Sequence, residues 1–251
     1  MKKKTSAIVV IGNEILSGRT QDANINFIAK AMTKKGIDLT EVRVVPDVET
    51  LVVEAVDLMR SRYDYVFTTG GIGPTHDDIT AECIAKVFNV PIELNKQAHQ
   101  SLLDYYKDPE KLNDARIKMA MLPVGAKLIK NPVTGAPGFQ IENVYVMAGV
   151  PNIMRSMLEN ILPSLEGGIV LHSISVATNL VESKIAGLLG DTQAAYEGEI
   201  DIGSYPTFYE GIPKVSAVIR GADKALVEKI ASDLQGNFKA MGGSILEVVE
   251  L

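Results

Sequence analysis

The stretch Thr68-Thr69-Gly70-Gly71-Ile72-Gly73-Pro74-Thr75-His76-Asp77-Asp78-Ile79-Thr80 holds the residue types and spacing that point most directly to chemistry. Tyr65-Val66-Phe67 ahead of it reads as a buried strand, and residues 81–88 behind it read as a helix. Glycines at a strand-to-helix turn let backbone amides approach a ligand closely. The unpaired N–H groups and positive end of the following helix suit a phosphate. Asp77 and Asp78 then place two adjacent carboxylates in that anion-friendly turn. Carboxylates repel phosphate unless a divalent cation stands between them. The turn therefore suggests a metal-assisted site for a phosphorylated ligand, cradled by Gly70, Gly71 and Gly73.

Structural alternatives stand beside these roles. Thr75-x-x-Asp78 has the spacing of a capping box, and an acid at a helix start also suits the dipole. Thr75 reads as an N-cap or as a phosphate contact. Asp77 is either an exposed helix-start acid or a metal ligand. Asp47 follows Pro46 at a strand end. It serves there as a turn residue or, paired with Asp78, completes a metal site or orients a water. Glu14 is a solvated loop acid or a contact to metal or nucleotide. Asp22 is well explained as a helix cap; Asn24 is less so and is a candidate ligand contact. Arg116 is a surface residue or a basic group over the phosphate site, and Asn131 and Gly135 are candidate pocket wall. His76 lies inside the turn but has no partner pattern. No Cys–His spacing supports a zinc site, and no Ser-His-Asp arrangement is visible.

The elements that must position these residues alternate from the start. Residues 7–11, 39–45 and 64–68 read as strands, and residues 22–35, 48–62 and 79–89 as helices. This β-α-β-α-β-α rhythm predicts a three-layer α/β fold, a mostly parallel sheet with helices on both faces. Ligands of such sheets sit beyond the carboxyl ends of the strands. The loops holding Glu14, Asp47 and Asp78 are at those ends. Residues 95–121 read as a polar helical hairpin or lid, residues 144–147 as another buried strand, and Pro151 as the opening of a helix. Glu166-Gly167-Gly168 is the best boundary. Beyond it a β-α-β-β-α-β order predicts a small α+β ferredoxin-like domain. The expected domains are 1–167, which binds the phosphorylated ligand, and 168–251.

Composition narrows the classes. Of 251 residues, 46% are hydrophobic and 22% charged, which fits a globular protein with a real core. A net charge of −6 argues against nonspecific binding to nucleic acid or an anionic membrane. Zero tryptophans and 6% aromatics give no stacking platform for single strands. The lone Cys83 excludes an internal disulfide and reads as a buried structural thiol. The lysines at the N-terminus precede too short an apolar run for a signal peptide, and no window reaches the ~18 apolar residues of a membrane span. A cytoplasmic protein is expected.

With these motifs in hand, the chain resembles the N-terminal domain of the competence/damage-inducible protein CinA, within the wider MoaB/MogA molybdopterin-binding fold. Residues 12–18 with Asp22 and Asn24, Asp47, residues 69–80, Asn113-Asp114-Ala115-Arg116, residues 131–138 and Gly149-Val150-Pro151 carry the resemblance. Ala148-Gly149 departs from it, standing where the family usually has Pro-Gly. Full-length members also carry a C-terminal nicotinamide-nucleotide amidase domain, an activity not expected of these 251 residues. The resemblance implies metal-dependent hydrolysis of the pyrophosphate of ADP-ribose or FAD, with Mg²⁺, Mn²⁺ or Co²⁺ held by Asp47, Asp77 and Asp78. The alternative it implies, ranked second, is molybdopterin binding or nucleotidyl transfer in molybdenum cofactor synthesis; a binding module without catalysis ranks third. Asp47 and Asp78 match two aspartates thought essential in the MogA-like branch. Relatives of this fold assemble, so a homo-oligomer with a small nucleotide or pterin ligand is expected.

Overall fold

The computed structural model describes residues 4–209 and 212–250; Met1, Lys2 and Lys3 of the lysine-rich start lie outside them. The chain divides into two compact units, Met1–Gly168 and Ile169–Leu251.

In the first unit, β1 (Lys4–Ile11), β2 (Ile37–Val45), β3 (Tyr65–Thr69) and β8 (Val144–Met147) run parallel. The short β7 (Gly138–Ile141) and β6 (Lys127–Ile129) extend the edge antiparallel, in the order β2-β1-β3-β8-β7-β6. Residues of β1 alternate between the two faces. Ala7, Val9 and Ile11 pack on α3 (Glu49–Arg62) and α4 (Thr80–Val87). Ile8 and Val10 pack on α2 (Asn24–Lys34) and α7 (Pro151–Ile161). All five are at most 3% exposed, and each fully buried Val or Ile is worth about 1.5–3 kcal/mol. The strand has no solvent face, which is why it reads as an unbroken apolar run.

The expected helical hairpin or lid resolves into α5 (Lys96–Tyr106) and α6 (Asp114–Lys118), joined by a turn at Pro109–Lys111. Around it, β4 (Ile92–Leu94) and β5 (Met121–Pro123) form a two-stranded antiparallel sheet absent from the sequence reading. A one-turn helix α1 (Asn13–Leu16) also replaces part of the expected first loop.

The second unit contains β9 (His172–Thr178), α8 (Glu182–Ala195), β10 (Ile200–Tyr209), β11 (Ile212–Gly221), α9 (Lys224–Ala240) and β12 (Ile245–Glu250). Its antiparallel order β10-β11-β9-β12 is that of the ferredoxin-like pattern. Val176, Ala217, Ile219 and Ile200 pack against Ile185 of α8 and Ile230 and Leu234 of α9. Among the described residues no helix is long and apolar enough to cross a membrane.

Candidate functional site

The parallel strands of the first unit all deliver their carboxyl ends to one cleft of about 570 Å³. Ile11 ends β1 and leads to Gly12 and Glu14; β2 leads to Asp47; β3 leads to Gly70, Gly71 and Gly73; β8 leads to Gly149. These loops meet by backbone contact. Gly70 has φ +104°, and a Cβ there would lie 2.1 Å from the Ile11 carbonyl oxygen. Gly71 has φ +65°, and a Cβ there would lie 2.2 Å from Thr80 Oγ1. Only glycine fits both places. A Cβ on Gly149 would lie 3.2 Å from Gly70 Cα, so the loops after β3 and β8 touch.

Thr80 closes the glycine loop from the far side. Its hydroxyl donates to the Gly70 carbonyl at 2.9 Å and its N–H to the Gly71 carbonyl at 2.9 Å. These two bonds begin α4 at Thr80, later than the capping-box reading places it. Thr75 and Asp78 do make the box's reciprocal contact, the Thr75 N–H donating to Asp78 Oδ2 at 2.8 Å. It staples a turn ahead of the helix, in which the Asp78 N–H donates back to the Thr75 carbonyl at 3.3 Å. Asp78 therefore caps no helix, and its carboxylate remains on the cleft wall.

Four carboxylates line the cleft: Glu14, Asp47, Asp77 and Asp78. Burial, first, pushes the Asp47 carboxyl above its usual range, and the charges of Glu14 and Asp77 add to this; a bond from the Asn13 N–H to Asp47 Oδ2 at 3.0 Å opposes it. Asp77 moves the other way. The Thr75 hydroxyl, 2.6 Å from Asp77 Oδ1, is the main cause, and the charges of His76 and Lys118 help. Neighbouring carboxylates whose environments push them apart suit one as proton acceptor and the other as a fixed charge.

Lys118 stands beside the loop. Its Nζ donates to the Thr75 carbonyl at 3.0 Å and lies 4.0 Å from Glu82 Oε1. Among the described residues, no group of three or more His, Cys, Asp or Glu side chains converges tightly enough to hold a metal by itself. Mg²⁺ commonly takes one or two carboxylates and completes its shell with waters and substrate phosphates. The carboxylates on this wall fit that mode, an ion shared with a phosphate ligand, and do not form an all-protein cage.

The other sequence candidates fall into two groups. Glu14, Gly70, Gly71, Gly73, Thr75 and Asn131 line the cleft with the three aspartates. Asn131 is 6% exposed and pins its own loop, donating to Thr134 Oγ1 at 2.6 Å and to the Ala136 carbonyl at 2.7 Å. Asn24 and Arg116 are not on the lining. Asn24 is 4% exposed and donates to the Gly149 carbonyl at 2.7 Å, so it holds the β8 loop from beneath. Its expected ligand contact gives way to that bond. Arg116 stacks its guanidinium 4.2 Å from the Tyr106 ring centroid and bonds the Lys111 carbonyl. It braces the lid where a phosphate clamp was expected. Asp22 accepts from the Ile25 N–H at 2.8 Å, as a capping residue does. Cys83 is buried, and burial pushes its thiol up to about 12, which makes it a packing residue. At the departure from the family pattern, the Ala148 N–H donates to Met157 Sδ at 3.4 Å, a bond proline has no proton to make.

Tyr106 and Met119 are cleft residues that sequence reasoning missed. The one visible signal was the Tyr105-Tyr106 pair just before the Asp108-Pro109 break.

Comparison with known proteins places this architecture. Residues 7–167 match the family model described as a probable molybdopterin binding domain. Residues 170–243 match the model of the FAD synthase middle domain. A protein from Archaeoglobus fulgidus is 35% identical over 228 residues, covering 91% of this chain and 95% of that one. One from Caldivirga maquilingensis is 33% identical, covering 96% and 93%. The crystal structure of CinA from Thermoplasma acidophilum, whose function is described as unknown, is 32% identical with a TM-score of 0.61, covering 64% of this chain and 97% of its own. The chain thus belongs to the family of the probable molybdopterin-binding domain, in a CinA-like form followed by an FAD-synthase-type second unit.

Proposed function

We propose that the cleft binds a nucleotide diphosphate such as ADP-ribose or FAD and hydrolyses its pyrophosphate bond with the help of a divalent cation. One observation carries this reading. Asp47, from the end of β2, and Asp77 and Asp78, from the glycine loop after β3, line a single cleft. The N–H groups of Gly71, Ile72 and Gly73 find no backbone acceptor among the described residues and are free to bind phosphate oxygens.

Asp77 and Asp78 would hold the cation, and when bound it would offset phosphate charge and polarise water. The protein's own contribution is positional. Thr75 fixes Asp77 and Asp78 through its hydroxyl and N–H. Asp47, with its raised affinity for a proton, accepts one from the attacking water as the new O–P bond forms. The bridging P–O bond breaks, and the leaving phosphate departs with the electron pair. A cleft of this volume is within the ordinary range for nucleotide-sized ligands, roughly 300–1,000 Å³.

The test is incubation of the protein with ADP-ribose, FAD or NAD, with Mg²⁺, Mn²⁺, Co²⁺ or chelator, followed by chromatography for AMP. AMP from ADP-ribose or FAD that needs metal and disappears in Asp78→Asn is expected. No AMP from any of the three with folded protein would overturn the reading. A second reading, binding of molybdopterin for cofactor synthesis, is favoured by the description of the family matched over residues 7–167. Tight binding of molybdopterin without any turnover of these nucleotides would put it first.

A further inference from the structure

Resting on that reading, we infer that Tyr106 is a stacking platform that selects ligands carrying a planar heteroaromatic ring attached to the phosphates. The cleft has two chemically different sides. One is the glycine loop with its carboxylates. The other is formed by the lid and the Asn131 loop, and there Tyr106 is the one aromatic side chain on the lining among the described residues. It is the last residue of α5, and Lys107 follows with φ +56°, reversing the chain.

The ring is held before any ligand arrives. The Arg116 guanidinium lies 4.2 Å from its centroid and is absent from the cleft lining, so a ligand in the cleft would stack on the opposite face. Tyr105 meets the ring edge-on, with centroids 5.1 Å apart and planes at 84°. The wall behind is equally fixed. Gly135, at φ +70°, packs so tightly on α5 that a Cβ would lie 2.4 Å from Tyr105 Cβ, and Ser101 Oγ donates to the Gly135 carbonyl at 2.8 Å. A side chain already ordered loses little freedom when a ligand stacks on it. An aromatic ring also accepts any flat heterocycle, because each presents a π-face. A single such ring suits one base, flavin or pterin, and not a strand of bases.

The experiment is calorimetric binding of AMP, FMN and inorganic pyrophosphate, each with Mg²⁺, to wild type, Tyr106→Leu and Tyr106→Phe. Wild type and Tyr106→Phe are expected to bind AMP and FMN alike. Tyr106→Leu should lose about tenfold or more for both, the scale of one base–aromatic stack, and keep its affinity for pyrophosphate. Equal losses for all three ligands in Tyr106→Leu, unchanged AMP and FMN binding, or no wild-type binding of either would overturn the inference. Binding needs no turnover. A wild type that cleaves nothing but binds FMN through Tyr106 would remove the hydrolase reading and leave the platform standing.

Discussion

Thr75 bonds Asp78 twice: its N–H donates to Asp78 Oδ2 at 2.8 Å, and its hydroxyl reaches the same oxygen. That hydroxyl also lies 2.6 Å from Asp77 Oδ1. A hydroxyl has one proton, so it serves one carboxylate at a time. Thr75 thereby ties the two acids into one unit. Valine in its place keeps the shape and removes the donor.

In Thr75→Val the Asp77 carboxyl should rise toward the ordinary aspartate range, since the Thr75 hydroxyl is the first cause of its lowering. A carboxyl lowered in the folded state adds stability above its unfolded pKa of about 3.9 and loses it as pH falls through the folded value. The variant should therefore show less of this acid-side loss below about pH 4. NMR titration of the Asp77 side-chain carbon in both proteins checks it; an unmoved midpoint would contradict the assignment.

Asp47 has the opposite sign. Its carboxyl is raised by burial first, then by Glu14 and Asp77. A raised acid favours folding while protonated, and this contribution fades as pH climbs from about 3.9 through the folded value. Asp47→Asn removes the charge that resists burial. At pH 7 it should raise the thermal midpoint measured in chelator and, assayed with metal, abolish AMP release. A lower midpoint would mean that the Asn13 bond outweighs the burial.

The glycine loop makes a graded prediction. Gly70→Ala forces a left-handed φ on alanine and drives its Cβ into the Ile11 carbonyl, so it should destabilise by more than about 3 kcal/mol. Gly18 has φ +71° but nothing within 4 Å of an added Cβ. Gly18→Ala should therefore cost about 1 kcal/mol, the backbone penalty alone. Denaturant unfolding of the two variants measures the difference; equal effects would refute the steric argument.

What was legible in the sequence was local. The apolar runs of β1, β3 and β8 and the Gly-Gly-x-Gly turn each declare themselves within a few residues. Four short strands did not: β4, β5, β6 and β7 have three or four residues each, too few for a period of two to stand out. Long-range pairings were equally invisible. Asn24 bonds a carbonyl 125 residues away, and nothing near it announces that partner. Arg116 looked like a phosphate clamp because its charge is visible in sequence and the ring it covers is not. The spacing of Thr75 and Asp78 signalled a bond between them correctly, but only the structure shows that this bond staples a turn ahead of the helix and caps no helix.

Metal and phosphate should bind together. Among the described residues no three ligating side chains converge, so a cation at Asp77 and Asp78 needs phosphate oxygens to complete its shell. Phosphate in turn meets four carboxylates on the lining unless a cation intervenes. Each ligand alone should shift the thermal midpoint little. A site occupied at about 100 times its Kd adds about 2.7 kcal/mol, which is several degrees for a domain of this size. Thermal scans with Mg²⁺, with pyrophosphate, and with both should therefore give a joint shift larger than the sum of the separate ones. Asp78→Asn should erase the excess. A full shift with pyrophosphate alone would show that the amides of the glycine loop bind phosphate without a cation, and would leave the aspartates to act only on the water.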